Sequence, residues 1–189
     1  EYVSDKVGKK GKEVMLIYNK ALAVTPITTH MPLNKIFKKI SIKQIVTKVT
    51  EVDKFYKNFL NKNAKIGITG LNPHCESSNK VKEEEKIITP AIKKLKKKGI
   101  KISGPFPADT IFLKKNRTNL DVIVGMYHDQ VLSPIKTLFE FCAINITLGL
   151  PFIRITPDHG PNNMMLGKNK SDPSSLIEAI KFIKNLRGN

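Results

Sequence analysis

The sequence predicts an α/β domain in which a largely parallel β-sheet is flanked by helices. Two observations lead to this prediction. Short runs rich in Val and Ile alternate along the chain with longer segments of helical periodicity, and such alternation is typical of sheets built from strand–helix–strand units. In addition, several of the apolar runs lead directly into short polar motifs. Ligand-binding residues of α/β folds lie at such strand ends.

The first half of the chain contains three predicted strands and two predicted helices. The strands are predicted from apolar runs at 14–18, 22–28 and 64–69. The third run is apolar throughout, which is typical of a strand buried on both faces of a parallel sheet. The helices are predicted at 32–40 and 45–60, and a loop is predicted at 70–80.

The next helix, over 83–98, carries charges that suit its dipole. Three glutamates at 83–85 begin it, three lysines at 96–98 end it, and Gly99 is placed to cap its carboxyl end. Its apolar stripe consists of Ile88, Ile92 and Leu95. Pro90 lacks an N–H group, so we expect a kink at this point.

The second half of the chain repeats the alternation. Strands are predicted at 121–125, 144–148 and 152–155. The first of these strands leads to His128, and Lys136, two helical turns later, is expected to share one helix with it. Asp172 and Pro173 then predict the start of a final helix, whose apolar stripe consists of Leu176, Ile180 and Ile183.

The formal net charge of +17 raises the question of nucleic-acid binding. Arginine, whose planar guanidinium is the usual reader of bases and phosphates, occurs only at 117, 154 and 187. The lysines are spread over the predicted helices instead of gathering in one tract. We therefore favour a solvated basic surface over a polyanion-binding one.

The length of 189 residues suits one domain, or one domain with appended elements. No apolar run reaches the ~18 residues that a membrane span needs, and no signal peptide is recognisable at Glu1. With only Cys75 and Cys142, a disulfide scaffold is not indicated, and we expect a cytoplasmic protein.

The four histidines occupy short motifs, and three of these motifs follow predicted strands. His30, His74 and His128 lie where strand ends of one sheet would converge. A single histidine at a strand end is usually a hydrogen-bonded structural residue, and that alternative stays open for each. Three together favour a metal site, and imidazole ligands suit Zn²⁺, Co²⁺ or Ni²⁺ better than Mg²⁺.

Three further residues suit an anionic ligand. Lys136 follows His128 by two helical turns, Asn145 is an amide within an apolar strand, and Arg154 ends another apolar run. A buried amide or cation needs a partner, so these side chains could hold a phosphorylated or carboxylated substrate. The alternative for Arg154 is a structural ion pair.

Two carboxylates, Asp109 and Asp129, are candidate acid/base groups. We favour a role in orienting a metal-binding imidazole over direct proton transfer. Cys75 is a conceivable ligand, but a small packing residue is the favoured interpretation. Neither a GxGxxG nor a GxxxxGK[ST] motif occurs, so no motif indicates nucleotide binding.

Six segments in order resemble the motifs of the 4-hydroxythreonine-4-phosphate dehydrogenase family of vitamin B6 (pyridoxal phosphate) biosynthesis. They are Thr-Thr-His30-Met-Pro-Leu, Gly-Leu-Asn-Pro-His74, Gly-Pro-Phe-Pro-Ala-Asp109-Thr, Met-Tyr-His128-Asp-Gln, Asn145-Ile-Thr-Leu-Gly-Leu-Pro-Phe-Ile-Arg154 and Pro-Asp-His159-Gly. The resemblance covers essentially the whole chain. It implies a fold like that of isocitrate and isopropylmalate dehydrogenases and a homodimer with the metal site at its interface.

The resemblance also implies the chemistry and its residues. His30, His74 and His128 match the metal ligands of the family, and Lys136, Asn145 and Arg154 match its substrate contacts. The implied reaction is the NAD-dependent oxidation of 4-phosphooxy-L-threonine, followed by decarboxylation. We expect a divalent metal, with Zn²⁺ first and Co²⁺ or Mg²⁺ as alternatives.

Departures from the family pattern give further expectations. Residues 75–80 replace a glycine-rich loop, and Pro161-Asn162 replaces Thr-Ala. Family members extend further at the N-terminus, so we expect a chain that lacks part of one domain and is poorly active alone. Residues 1–158 would form the metal- and substrate-binding α/β domain, and 159–189 a segment whose helix packs toward the missing N-terminal domain. The alternatives are a dehydrogenase of another phosphorylated hydroxy acid, an inactive metal-binding fragment and a basic binding module.

Overall fold

Seven strands form one β-sheet in the computed structural model, which describes residues 2–76, 82–160 and 163–187. The strands are β1 (Val14–Tyr18), β2 (Ala23–Pro26), β3 (Ile66–Thr69), β4 (Ile102–Phe106), β5 (Val122–Gly125), β6 (Ile144–Leu148) and β7 (Arg154–Pro157). Their order across the sheet is β4-β3-β5-β2-β1-β6-β7. The predicted α/β fold is confirmed.

Most of the strands point the same way. Strands β4, β3, β5 and β2 are parallel neighbours, β1 is antiparallel to both β2 and β6, and β7 is antiparallel to β6. Only β1 and β7 therefore oppose the common direction among the described strands. The short connections explain both exceptions, because the links from β1 to β2 and from β6 to β7 are too short for a crossover helix.

Eight α-helices accompany the sheet within the described residues. They are α1 (Tyr2–Lys6), α2 (Leu33–Lys39), α3 (Ile42–Leu60), α4 (Thr89–Lys97), α5 (Ala108–Ile111), α6 (Lys114–Arg117), α7 (His128–Phe139) and α8 (Ser174–Arg187). Helix α3 begins three residues before the predicted start because the Ser41 hydroxyl caps it, accepting from the Gln44 N–H at 3.2 Å. The described helices include none long and apolar enough to cross a bilayer.

The disturbance predicted at Pro90 takes the form of a π-helical turn over Glu84–Ile88. There the Thr89 N–H bonds to the carbonyl of Glu84, five residues back. Strand β4 and the short helices α1, α5 and α6 were not predicted, because a Gly-Pro pair interrupts β4 and the helices are too short to show periodicity. Strand β7 begins two residues later than predicted, since Gly149 with φ +79° opens a turn before it.

Apolar side chains cover both faces of the sheet. Helices α3 and α4 lie on one face, where Ile45, Val49 and Leu95 are fully buried. Helix α7 covers the other face, where Val131 and Ile135 pack against Ile123. The histidine motifs follow the carboxyl ends of the parallel strands, beyond buried residues such as Thr69, Met126 and Thr28.

The final helix begins as predicted but packs with a different face. The Ser174 N–H donates to Asp172 Oδ1 at 2.8 Å, and the helix lies against β6 and β7. Phe182 faces the core, with its ring centroid 4.9 Å from that of Tyr18. The predicted stripe is left half-exposed, although Ile183 lines one pocket with Arg154 and Ile155 of β7. Its side chains are 50%, 48% and 38% exposed, for Leu176, Ile180 and Ile183 respectively.

Gly149, in the turn after β6, is the subject of a stability prediction. A Cβ added to Gly149 would overlap the carbonyl oxygen of Lys12, and the φ of +79° disfavours any L side chain. Gly149→Ala should therefore lower the free energy of unfolding by about 2–4 kcal/mol, measured by urea denaturation. Gly99→Ala is the matched control, because Gly99 has a similar φ of +76° but open space around it. Equal losses in the two variants would show that the contact with Lys12 is unimportant.

Candidate metal and substrate site

The three histidines of the predicted metal site follow three adjacent parallel strands. His30 follows β2, His128 follows β5 and His74 follows β3, and β5 lies between the other two strands. All three therefore lie at the carboxyl edge of the sheet, as the sequence predicted. The strands bring their motifs together although they are far apart in the chain.

The rings of His30 and His128 lie close enough to share one metal ion. Their centroids are 5.7 Å apart, at an interplanar angle of 44°. Two imidazoles bound to one tetrahedral Zn²⁺ with Zn–N bonds of about 2.1 Å would have centroids about 5 Å apart. The observed separation is near this value, so this pair of donors fits a shared ion.

Asp129 is placed to orient His128. Its Oδ1 lies 2.6 Å from Nδ1 of His128. A proton on Nδ1 donates to this carboxylate, which leaves the lone pair of Nε2 for a metal. Asp109, the other predicted orienting carboxylate, lies exposed on α5 and bonds to no histidine of the described ranges.

His74 does not complete a three-ligand group in this chain. Its side chain is exposed in a 3-10 turn, Pro73–Cys75, with φ of 54°. Across residues 2–76, 82–160 and 163–187, the histidines, cysteines and carboxylates form no group of three that could hold a metal ion. The chain by itself therefore offers a pair of imidazoles, with His74 at the same sheet edge.

Cys75 is a packing residue in this structure. It is half-buried, and Gly70 lies so close that a Cβ there would come within 2.8 Å of Sγ. Burial raises the pKa of the Cys75 thiol, and the nearby carboxylates of Glu84 and Asp109 raise it further. A raised pKa disfavours the thiolate that metals bind.

Two glutamates that were interpreted as helix-dipole charges also hold the His74 loop. Glu83 and Glu84 are only 8% and 4% exposed. Glu84 Oε1 accepts from the backbone N–H groups of Leu71 and Asn72 at 2.9 and 2.8 Å, and the Asn72 side chain donates to both glutamates. The signal in the sequence was three consecutive acidic residues in a strongly basic chain.

Asn145 and Arg154 share one face of the sheet. Neighbouring strands place Asn145 opposite Ile17 and Arg154 opposite Thr147, and Ile17 belongs to the α7 side of the core. Residues directly opposite in a ladder point to the same face, and alternate residues of a strand do so too. Both predicted substrate contacts therefore lie on the α7 side.

Neither of these two side chains has a charged partner. Arg154 Nη1 donates to Thr147 Oγ1 at 3.1 Å, and within the described ranges no carboxylate pairs with Arg154. Asn145 Oδ1 is buried without a hydrogen-bond partner there. Strand β6 runs in the same direction as β2, so Thr147 and Arg154 lie at the same edge as His30.

Lys136 lies on α7 with His128, as predicted, but its ammonium is held by Asp158. Lys136 Nζ forms an ion pair with Asp158 Oδ2 at 2.8 Å and donates to the Asp158 carbonyl. Asp158 follows the end of β7 that lies beside the start of β6. Lys136 is therefore held toward the opposite edge of the sheet from Arg154.

Two loops in which the sequence departs from the family motifs fall largely outside the described residues. Positions 77–81 and 161–162 are not described, so the path after Glu76 and the surroundings of Pro161 and Asn162 are not assigned. His159 is exposed, and its Nδ1 lies 3.1 Å from the Gly160 carbonyl.

Comparison with known proteins gives one family. The family model of pyridoxal phosphate biosynthetic protein PdxA matches residues 1–183. A 4-hydroxythreonine-4-phosphate dehydrogenase of Sulfurihydrogenibium sp. is 43% identical over 184 residues, covering 96% of this chain and 56% of the relative. One from Bradyrhizobium diazoefficiens is 40% identical, covering 98% of this chain and 55% of the relative. The chain thus spans about half the length of the curated relatives it matches.

Solved structures give the same result. A putative 4-hydroxythreonine-4-phosphate dehydrogenase of Salmonella typhimurium superposes with a TM-score of 0.83 at 34% identity, over 98% of this chain and 57% of that one. A terephthalate 1,2-cis-dihydrodiol dehydrogenase of Burkholderia xenovorans superposes with a TM-score of 0.77 at 22% identity, over 97% and 59%. The second likeness concerns the fold alone.

Proposed function

Because the chain belongs to the family of pyridoxal phosphate biosynthetic protein PdxA, we propose that this protein acts as a 4-hydroxythreonine-4-phosphate dehydrogenase. The reaction would be the NAD-dependent oxidation of 4-phosphooxy-L-threonine to a β-keto acid, which then loses carbon dioxide. The observation that carries the proposal is the pair of imidazoles, His30 and His128, 5.7 Å apart at the carboxyl edge of the sheet. This biosynthetic role suits a cytoplasmic enzyme.

The proposed metal ligands are His30, His74 and His128. Imidazole donors favour Zn²⁺ or Co²⁺ over Mg²⁺. A divalent ion bound there would polarise the oxygen of the hydroxyl group whose carbon is oxidised, and would stabilise the negative charge that develops on decarboxylation. Asp129 would fix the ring of His128 through the 2.6 Å contact at Nδ1.

The proposed substrate contacts are Arg154, Asn145 and Lys136. Arg154 lies at the histidine edge with free donors, and the guanidinium fork suits a phosphate or carboxylate group. The unpartnered Oδ1 of Asn145 can accept a hydrogen bond from the substrate. Lys136 would have to leave its ion pair with Asp158 to contact a substrate bound at the edge of Arg154 in the same chain.

We also propose a homodimer with the metal site at its interface. This arrangement would let His74 serve although it does not join His30 and His128 within one chain. The domain assignment is proposed in the same way, with residues 1–158 as the metal- and substrate-binding domain. The exposed stripe of α8 supports packing of segment 159–189 toward a further part of the protein, because such a stripe is apolar surface that favours burial.

An assay of hydride transfer tests the proposed function. A full-length protein that contains this chain, loaded with Zn²⁺ or Co²⁺, should reduce NAD when 4-phosphooxy-L-threonine is added, and the absorbance of the reduced dinucleotide measures the rate. A chelator should abolish the reaction and added metal should restore it. Faster turnover of another phosphorylated hydroxy acid would replace the proposed substrate. Salt-sensitive nucleic-acid binding without any turnover would contradict the proposal.

A further inference from the structure

Gln130 is a buried amide that forms hydrogen bonds to two strand ends at once. It is 8% exposed and lies two residues after His128. Its Oε1 accepts from the Met126 N–H at 2.6 Å and from Thr69 Oγ1 at 2.8 Å, while its Nε2 donates to the Gly70 carbonyl at 2.9 Å. A backbone N–H can only donate and a carbonyl can only accept, so these partners fix the orientation of the amide.

The partners of Gln130 begin two of the three histidine loops. Thr69 ends β3, and Gly70 begins the loop that carries His74, whereas Met126 follows β5 and leads into His128. Each hydrogen bond is buried, so losing one leaves an unpaired polar group away from water. Gln130 therefore fixes the start of the His74 loop relative to the start of α7.

Thr28 extends this connection to the third loop. Its Oγ1 and its backbone N–H both donate to the Met126 carbonyl, at 2.8 and 3.2 Å. Thr28 is 2% exposed and lies two residues before His30. Met126 is consequently held on both sides, through its N–H by Gln130 and through its carbonyl by Thr28.

The His74 loop needs such support. His74 and Cys75 have φ values of 54° and 61°, a left-handed conformation that non-glycine residues adopt only when their surroundings enforce it. Beyond Gly70 the loop is held by Glu84 through Leu71 and Asn72. The hydrogen bond from Gln130 Nε2 to the Gly70 carbonyl joins this loop to β5 and α7.

We propose that Gln130 and Thr28 are positioning residues that fix the His30, His74 and His128 loops relative to one another and so keep the His30–His128 pair at the spacing of two metal ligands. They act through the histidines and contact neither metal nor substrate. The inference rests on the proposed function for the identity of the ligand, a divalent cation. The coupling among the three loops stands on hydrogen bonds of this chain alone.

Amide hydrogen exchange of the metal-free protein tests the coupling. In Gln130→Met, which keeps the side-chain length and removes all three hydrogen bonds, exchange should accelerate at least tenfold at Leu71, Asn72 and Thr28, none of which bonds directly to Gln130. Exchange within β1 and β6 should stay unchanged. Acceleration confined to Met126 would overturn the proposal.

Cobalt binding tests the consequence for the site. Both Gln130→Met and Thr28→Val should weaken Co²⁺ binding by about 10–100-fold, the usual effect of residues that support metal ligands, and should change the visible absorption of bound Co²⁺. Thr25→Val is the matched control, because Thr25 is as buried as Thr28 and also donates to a backbone carbonyl, that of Met15, but within the β1–β2 pair. It should leave Co²⁺ binding within twofold of the parent.

The remaining outcomes also support or overturn the proposal. Unchanged Co²⁺ affinity in both variants would overturn the positioning role, as would an equal loss in Thr25→Val. If Gln130→Met accelerates exchange throughout the protein, the variant is destabilised as a whole. Thr28→Val, which removes one hydroxyl, then tests the proposal through the same exchange and Co²⁺-binding measurements. If the parent protein binds no Co²⁺, the proposed metal function fails, and the exchange pattern alone confirms or overturns the coupling.

Discussion

Replacing His128 with alanine should weaken Zn²⁺ or Co²⁺ binding by at least about 100-fold and remove NAD reduction with 4-phosphooxy-L-threonine. The loss should exceed the 10–100-fold effect of supporting residues, because a ligand itself is removed. His30 alone would then remain of the pair whose centroids lie 5.7 Å apart. His128 is the first residue of α7, where alanine is a favourable helix former, so the fold should survive.

Metal titration by calorimetry measures this effect independently of turnover. His159→Ala is the control, because His159 is exposed and follows the end of β7 beside the start of β6, at the opposite edge of the sheet. It should bind metal as tightly as the parent. If His128→Ala and His159→Ala bind metal equally well, the imidazole pair at the carboxyl edge does not hold the ion.

His74→Ala distinguishes a three-histidine site from a two-histidine one. If a second copy of the chain brings His74 to the ion, this variant should lose metal affinity and activity like His128→Ala. Analytical ultracentrifugation of the parent should then show a dimer. Retained affinity in His74→Ala would leave His30 and His128 as the ligands and remove the reason for placing the metal at an interface.

The histidine edge could be predicted from the sequence because each motif directly follows a strand-forming run. Strand ends of a parallel sheet meet at one edge, so the position of each motif after a strand was enough to place the three histidines at that edge. The proximity of His30 and His128 also depends on β2 and β5 being neighbours, and this strand order was not predicted. The placement of His74 was only partly predictable. It depends on two left-handed residues and on buried glutamates that follow eight residues later, and no local pattern shows this dependence.

Side-chain pairs between residues far apart in the chain could not be predicted from the sequence. Lys136 was expected to face the cleft with His128, yet Asp158, on a different element, binds its ammonium. The stripe of α8 was recognised by its spacing, but spacing does not indicate which partner covers it. The role of Gln130 was not predicted, because a single glutamine carries no signal of the three hydrogen bonds that it makes.

Replacing Arg154 with alanine should lower kcat/KM for 4-phosphooxy-L-threonine by about 10–150-fold, mainly through KM. A hydrogen bond to a charged group contributes about 1.5–3 kcal/mol, which corresponds to this range of rates. Arg154 suits the role because its guanidinium is half-buried at the histidine edge and bonds only to the Thr147 hydroxyl among the described side chains. Arg154→Lys should recover only part of the loss, since an ammonium keeps the charge but not the planar fork.

Steady-state kinetics with and without the phosphate group identifies what Arg154 binds. If it holds the phosphate, Arg154→Ala should affect the phosphorylated substrate strongly and 4-hydroxy-L-threonine little. Lys181→Ala is the charge control, because Lys181 is an exposed cation on α8 that pairs with Glu178, and it should leave kcat/KM within twofold. Equal losses for both substrates would mean that Arg154 either binds the substrate carboxylate or stabilises the fold. Thermal unfolding of the variant distinguishes these two roles, because only a structural role lowers the melting temperature.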